Sequence, residues 1–211
     1  MKIINIKDYA NNITKRESKW FDENLVYGGW KNPKRPDLER GILLYSICKK
    51  IKAKYCLDIG TATYFSAKSM AKYRCKVDTI DNEPKLFGKN EELMPKIVSY
   101  IYDSKELLPK FIKEERRYDL IFIDGDHSYE GVKADIINSM KLSDIIVCHD
   151  YRNIVGVTKA IDEIIKPSYY IIEDRMWFNS CYENGIDRNG KKIDYGICIF
   201  DKFNKLGKGI K

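Results

Sequence analysis

The chain contains no CxxC pair, no long apolar run and no GxGxxG string, and only two of its 211 residues are histidine. Each shortage excludes something. Six cysteines (Cys48, Cys56, Cys75, Cys148, Cys181 and Cys198) are scattered, without the spacing of a zinc motif or the density of a disulfide framework. Cys56, Cys148 and Cys198 lie inside apolar strand-like runs, where cysteine is ordinarily a small core residue, and a reducing cytoplasm is the expected setting. No run reaches the length of a membrane span, and Met1 to Tyr9 lacks a signal-peptide core, so no membrane association is expected. Without the later glycines of GxGxxG, a pyrophosphate cofactor has no close backbone cradle. The N/D-P-P-Y/F signature for methylating base amino groups is missing too.

What is present describes a globular chain: 44% hydrophobic and 33% charged residues, enough for one domain with a sizeable core. The net charge of +7 raises the question of nucleic acid. Lysine is spread along the sequence among acids, with its densest cluster at Lys205, Lys208 and Lys211, which reads as a solvated surface and not a binding stripe.

Residues 1–36 are polar and aromatic, with a Gly28-Gly29 turn and Pro33 and Pro36, and read as an irregular arm or cap. Asp37 is a candidate N-cap for a helix to about Lys52. Strands then alternate with helices: strands over 55–59, 77–80, 97–102, 120–123 and 145–148, and helices over 66–73, 83–94, around 107–112, 129–140 and 158–165. Late strands follow over 169–173 and 195–200. The expected fold is α/β, a doubly wound Rossmann-like parallel sheet with an antiparallel edge strand pair and a short N-terminal cap. The expected division is an arm over 1–36, a domain over 37–205 and a basic tail over 206–211.

The polar residues at strand ends carry the chemistry. The run Leu120 to Ile123 stops at Asp124, Gly125, Asp126 and His127, three ionisable side chains at the carboxyl end of an inner strand, where open α/β sheets bind ligands. Cys148 is followed by His149 and Asp150 at the neighbouring strand end. The first strand runs through Asp58 into Gly60, a turn that brings a ligand close to backbone and to a helix N-terminus beginning near Ser66. About twenty residues later Asp81 ends the second strand, well placed for two ribose hydroxyls. The two sites together indicate an adenosine-type cofactor.

The segments LDIGTATYFSA, TIDNEP, IFIDGDHSYEGVKADI and IIVCHDYRNIVGV, in this order, resemble a class I S-adenosylmethionine-dependent methyltransferase, more narrowly the branch of catechol O-methyltransferase and the macrolide and aminocoumarin sugar O-methyltransferases. The resemblance covers Cys56 to Ile165. It implies that Asp58, Gly60, Thr61 and Ser66 line the methionine part of the cofactor, with Asp124 also in contact. It further implies that Asp81 binds the ribose and that Asp103 and Ser104 flank the adenine. A divalent cation, magnesium or manganese, would be held by Asp124, His149 and Asp150, the imidazole favouring an ion softer than magnesium. Asp126 would be the general base, with His127 as a second candidate or facing the adenine side. The implied reaction is methyl transfer to a hydroxyl of a small molecule, a sugar or polyol, by a protein that is possible as a homodimer.

Tyr64 departs from the family, standing bulky where small residues are usual. It supports an alternative, a non-catalytic module that keeps the fold; a nucleic-acid methyltransferase is the weaker second alternative. Trp20, Phe21, Tyr27, Trp30, Trp177, Phe178 and Tyr182 are candidates for an aromatic wall at the site mouth, or equally anchors of irregular segments, and Arg175 and Arg188 for pairing with an anionic acceptor.

Overall fold

The computed structural model describes residues 2–5, 13–24, 36–85, 91–152, 154–172 and 196–207. Its strands are β1 (Lys2–Asn5), β2 (Tyr55–Ile59), β3 (Lys76–Asp81), β4 (Ile97–Ile101), β5 (Leu120–Ile123), β6 (Ile145–Tyr151), β7 (Tyr169–Ile172) and β8 (Gly196–Asp201). Its α-helices are α1 (Lys15–Asn24), α2 (Pro36–Ile51), α3 (Phe65–Lys72), α4 (Ser104–Lys113), α5 (Tyr129–Leu142) and α6 (Val155–Ile164). They build one eight-stranded sheet in the order β1-β7-β8-β6-β5-β2-β3-β4. Among the described strands only β8 runs antiparallel, to both β6 and β7. β1 adds a parallel strand beyond β7, within the arm that the sequence reads as irregular. Four residues are too short for a periodic signal, and the free edge of β7 supplies their pairing.

Alternation along β5 sorts its side chains to two faces. Leu120 and Phe122 join Leu43, Ile47, Ala67 and Met70 of α2 and α3, whereas Ile121 and Ile123 join Leu108, Phe111, Ile136 and Ile161 of α4, α5 and α6. Burial on both faces explains why this strand is apolar without interruption. Asp103 caps α4 by accepting from the Lys105 amide, and Ser128 caps α5 by accepting from the Gly131 amide.

The structure corrects several local expectations. Of the helix expected over 83–94, residues 83–85 are not helical, a 3-10 turn spans Glu91–Lys96 with Pro95 inside it, and residues 86–90 lie outside the described set. Asp37 lies within α2, which already includes Pro36, and so does not cap it. The spacing of Val132, Ile136, Ile137 and Met140 suits one buried face of α5, but Ile137 and Met140 are exposed. Val132, Ile136 and Leu142 are buried with Asp135 and Ser139, since Asp135 accepts a hydrogen bond from Ser104 of α4.

Trp20 and Phe21 do not reach the carboxyl ends of the strands. Phe21 is fully buried against Tyr45 of α2, and Trp20 lines a cleft of about 1180 Å³ with Tyr55 and Lys76, which begin β2 and β3. The other aromatics of the expected wall, with Arg175 and Arg188, lie outside the described residues. That cleft also gathers lysines and arginines the sequence keeps apart: Arg16, Lys19, Lys49, Lys54, Lys72, Arg74, Lys76 and Lys96, against Glu17 and Glu92.

β2 sits between β3 and β5, so the chain leaves it first in one direction and later in the other, and the carboxyl ends of β2 and β5 form the switch point where ligands bind. The two strand ends nearly touch. A Cβ on Gly60 would stand 2.2 Å from the Asp124 carbonyl oxygen, and Gly60 has φ +100°. Gly60→Ala is therefore expected to cost at least about 2 kcal/mol, through a strained backbone and a clash with unyielding main chain. Urea denaturation checks this; an unchanged midpoint would mean that the crossing is looser than described.

Candidate functional site

Four side chains meet where β5 and β6 end. Asp124 Oδ2 lies 2.6 Å from Arg40 Nη1 of α2, and its Oδ1 lies 3.3 Å from His127 Nε2 and 3.2 Å from His149 Nδ1. Asp150 Oδ2 is 3.1 Å from His127 Nε2 and 3.1 Å from His149 Nδ1. Each imidazole thus approaches both carboxylates. β6 makes this convergence by an irregularity. Its register against β8 shifts between Cys148 and Tyr151, and Asp150 has φ +57°, a left-handed conformation that a non-glycine residue adopts at a cost. A bulge of this kind re-aims the side chains beside it.

Burial opposes the charge on Asp124, but His149 and Arg40, with hydrogen bonds from both imidazoles, hold its carboxyl far below the usual range. The hydrogen bonds to Asp124 and Asp150 push His127 up to about 10. Burial favours neutral His149, yet Asp124 and Asp150 outweigh it and raise the ring to about 9. Without a metal both rings are imidazolium at neutral pH.

Beside this cluster lies a cavity of about 420 Å³, bounded by the ends of β2, β3 and β5 and the start of α4. Of the residues expected to hold cofactor, Gly60, Asp81, Asp103, Ser104 and Asp124 line it, as does Asp126. Asp81 Oδ2 accepts from the Ala62 amide at 3.0 Å, Oδ1 accepts from the Glu83 amide at 3.1 Å, and Lys85 stands 3.4 Å away. Asp58, Thr61 and Ser66 do not line the cavity and are buried beneath it. Thr61 and Thr79 share a 2.7 Å hydroxyl contact, and Thr79 donates to Asp58 Oδ2 at 2.9 Å. Burial pushes Asp58 up to about 7, and its buried Oδ1 has no hydrogen-bond partner among the described residues.

Asp126 and His127 face opposite ways. Asp126 Oδ1 accepts from the Ser128 amide, its Oδ2 pairs with Lys105 at 3.1 Å, and its side chain folds over Gly131, where a Cβ would meet it at 2.2 Å. The Ser128 amide, with Lys105, lowers its pKa. His127 faces the carboxylates of Asp124 and Asp150 and is 43% exposed. Tyr64 turns away: its ring is buried in the core and its hydroxyl donates to Ser99 of β4 at 3.0 Å. It reaches this position through φ +61° at the start of α3. The bulk that seemed to crowd a ligand therefore fills the core.

Sequence reasoning missed two participants. Arg40 stands 84 residues from Asp124, and its signal is an arginine buried in an otherwise apolar stretch of α2. Asp135 is buried behind Ser104, raised by that burial to about 6.

The donor set suits a cation. One ligand atom each from Asp124, His127 and Asp150 lies within 4.8 Å of the others. Mixed imidazole and carboxylate ligands fit manganese, iron or zinc better than magnesium. The cavity likewise fits an adenosine-type group, since Asp81 and the cap of α4 stand on its walls.

Residues 57–151 match the family model of a methyltransferase domain. No curated protein sequence matches the chain. Among solved structures it is similar to a candidate O-methyltransferase from Klebsiella pneumoniae (TM-score 0.55, 14% identity, covering 92% of this chain and 87% of that one). It is also similar to the O-methyltransferase TomG from Streptomyces achromogenes in complex with S-adenosylmethionine (TM-score 0.55, 14% identity, 76% and 78% covered). A candidate RNA methyltransferase from Pyrococcus horikoshii is a third such structure (TM-score 0.59, 15% identity, 89% and 97% covered). The match over residues 57–151 is to a methyltransferase domain, in keeping with the resemblance read from the motifs, and the sheet is the Rossmann-like one expected.

Two outcomes test this geometry. Tyr64→Phe is expected to cost about 1 kcal/mol, for one buried hydrogen bond, and to leave the affinity for S-adenosylmethionine unchanged in calorimetry. A histidine raised in the folded state adds stability below its unfolded pKa and loses that contribution as pH climbs through the folded one. Metal-free protein in EDTA is thus expected to lose on the order of 3 kcal/mol from His149 as pH rises from about 6.5 past about 9. Urea midpoints across that window check it, and His149→Gln should remove the part of the profile that belongs to His149 while the part from His127 remains.

Proposed function

We propose that this protein is an S-adenosylmethionine-dependent O-methyltransferase acting on a small molecule with two neighbouring oxygens, a sugar or polyol, with help from a divalent cation. The observation that carries the reading is the convergence of Asp124, His127, His149 and Asp150 beside a cavity whose walls hold Gly60, Asp81 and Asp103. The five described cysteines are free thiols, which suits the cytoplasm, and no helix among the described residues is long and apolar enough to cross a membrane.

S-adenosylmethionine, when bound, supplies a methyl group on a sulfonium for in-line displacement by a hydroxyl. In the cavity Asp81 would take the ribose hydroxyls, exchanging its contact with Lys85 for them. Asp103 and Ser104, steadied from behind by Asp135, would border the adenine. The cation would be held by Asp124, His127 and Asp150, with buried His149 fixing both carboxylates from behind. A cation of this kind lowers the pKa of a bound hydroxyl and orients it. An acceptor acidified in this way does not need Asp126 as base, which suits an acid already tied to Lys105 and the Ser128 amide. His127 as base in a metal-free enzyme is the poorer reading, because its raised pKa keeps it protonated.

The RNA-methyltransferase neighbour and the basic cleft favour a second reading, action on nucleic acid. The cleft opens at the amino ends of β2 and β3, away from the cavity at their carboxyl ends, and so does not lead a base to the methyl donor.

Calorimetric titration of S-adenosylmethionine, with EDTA and then manganese or magnesium, is the decisive experiment. Micromolar binding is expected, with Asp81→Ala weakening it about 10- to 100-fold, equivalent to one or two lost hydrogen bonds. Methyl transfer to vicinal diols should fall at least about 100-fold in EDTA and in Asp150→Asn, with cofactor affinity retained. No binding under any condition would leave the fold as a non-catalytic module, whereas transfer to RNA alone would favour the second reading.

A further inference from the structure

Cys48 near the end of α2, Cys56 in β2 and Cys75 just before β3 come from three elements and meet in one core cluster. All three are free thiols with no exposed surface. The sulfurs of Cys48 and Cys56 are 3.7 Å apart, Cys75 Sγ lies 3.5 Å from the Ala53 carbonyl oxygen, and all three sulfurs fall within 4.8 Å of one another. Disulfide sulfurs, by contrast, sit about 2.05 Å apart. Three thiolates bound at about 2.3 Å to one ion stand about 3.8 to 4.0 Å from each other, in tetrahedral or trigonal geometry. The Cys48–Cys56 separation already matches.

We propose that Cys48, Cys56 and Cys75 form a structural site for a thiophilic d10 metal ion, zinc(II) or copper(I), which ties α2, β2 and the start of β3 together. Thiolates select such ions over the hard cations. Binding involves no redox change: the thiols that become thiolates release their protons to solvent as sulfur-to-metal bonds form. The Ala53 carbonyl oxygen is the fourth donor within reach. Ala53 also lines the basic cleft, which marks the side from which an ion would enter. The spacing of 48, 56 and 75 contains no zinc signature, because the ligands are assembled by the fold and not by a local loop.

Titration of reduced, metal-free, full-length protein with cadmium(II) tests the site. One equivalent is expected to develop thiolate-to-cadmium charge-transfer absorption, which Cys75→Ser abolishes and Cys148→Ser retains. Zinc(II) and copper(I) then compete for it, and the stronger competitor identifies the ion. An ion held by Asp124, His127 and Asp150 produces no thiolate band, so this result is independent of the methyltransferase reading. Should Cys75→Ser fail to fold, wild-type protein decides by alkylation in mild urea, read by mass spectrometry. Zinc should then slow modification of Cys48, Cys56 and Cys75 at least tenfold relative to Cys148 and Cys198. No charge-transfer band, or alkylation that zinc slows equally at Cys48, Cys56, Cys75, Cys148 and Cys198, overturns the proposal.

Discussion

The negative charge of Asp124 organises the carboxyl end of the sheet. A buried carboxylate is costly without cations around it, and here they come from three directions: Arg40 from α2, His127 from the turn into α5, and His149 from β6. Each of these holds its own element against β5. The backbone of the same residue presses on Gly60, so β2 and β5 are locked at the switch point by one contact of main chain and one cluster of charge. The cavity and the cluster of carboxylates and imidazoles are two sides of this post.

Much of this was legible in the sequence, and the physical reasons are particular. β5 was readable to the residue because burial on both faces demands an unbroken apolar run, and such a run ends sharply where polar groups begin. Asp124, His149 and Asp150 were readable as neighbours because parallel strands adjacent in a sheet bring their carboxyl ends together. Arg40 was not, since its partner is 84 residues away and no periodicity announces a long-range ion pair. The orientation of Tyr64 depended on one backbone torsion, and the opposite orientations of Asp126 and His127 on local hydrogen bonding to Ser128 and packing over Gly131. The lysines around Trp20 look dispersed because the amino ends of strands gather residues spaced one βα unit apart.

The two faces of the sheet divide the labour. α2 and α3 cover the face on which the three cysteines lie and supply Arg40, while α4 and α5 cover the other and present the Asp103 cap and the turn that carries His127. Polar groups under the cavity are satisfied in depth: Thr61 leans on Thr79, and Thr79 on Asp58. These contacts do not touch a ligand. They hold the floor on which a ligand rests, and this explains why residues expected to line the site lie one layer below it.

The basic cleft at the amino ends of β2 and β3 faces away from a carboxyl end crowded with Asp81, Asp103, Asp124, Asp126 and Asp150. Arg40, Lys85, Lys105 and the two imidazolium rings balance those carboxylates, so among the described residues the excess positive charge lies at the amino end. Set on a negatively charged matrix, the molecule settles on its amino end with the cavity mouth turned outward to the liquid. Immobilisation by simple ion exchange thus presents every molecule in the same working orientation, with no tag or linker needed.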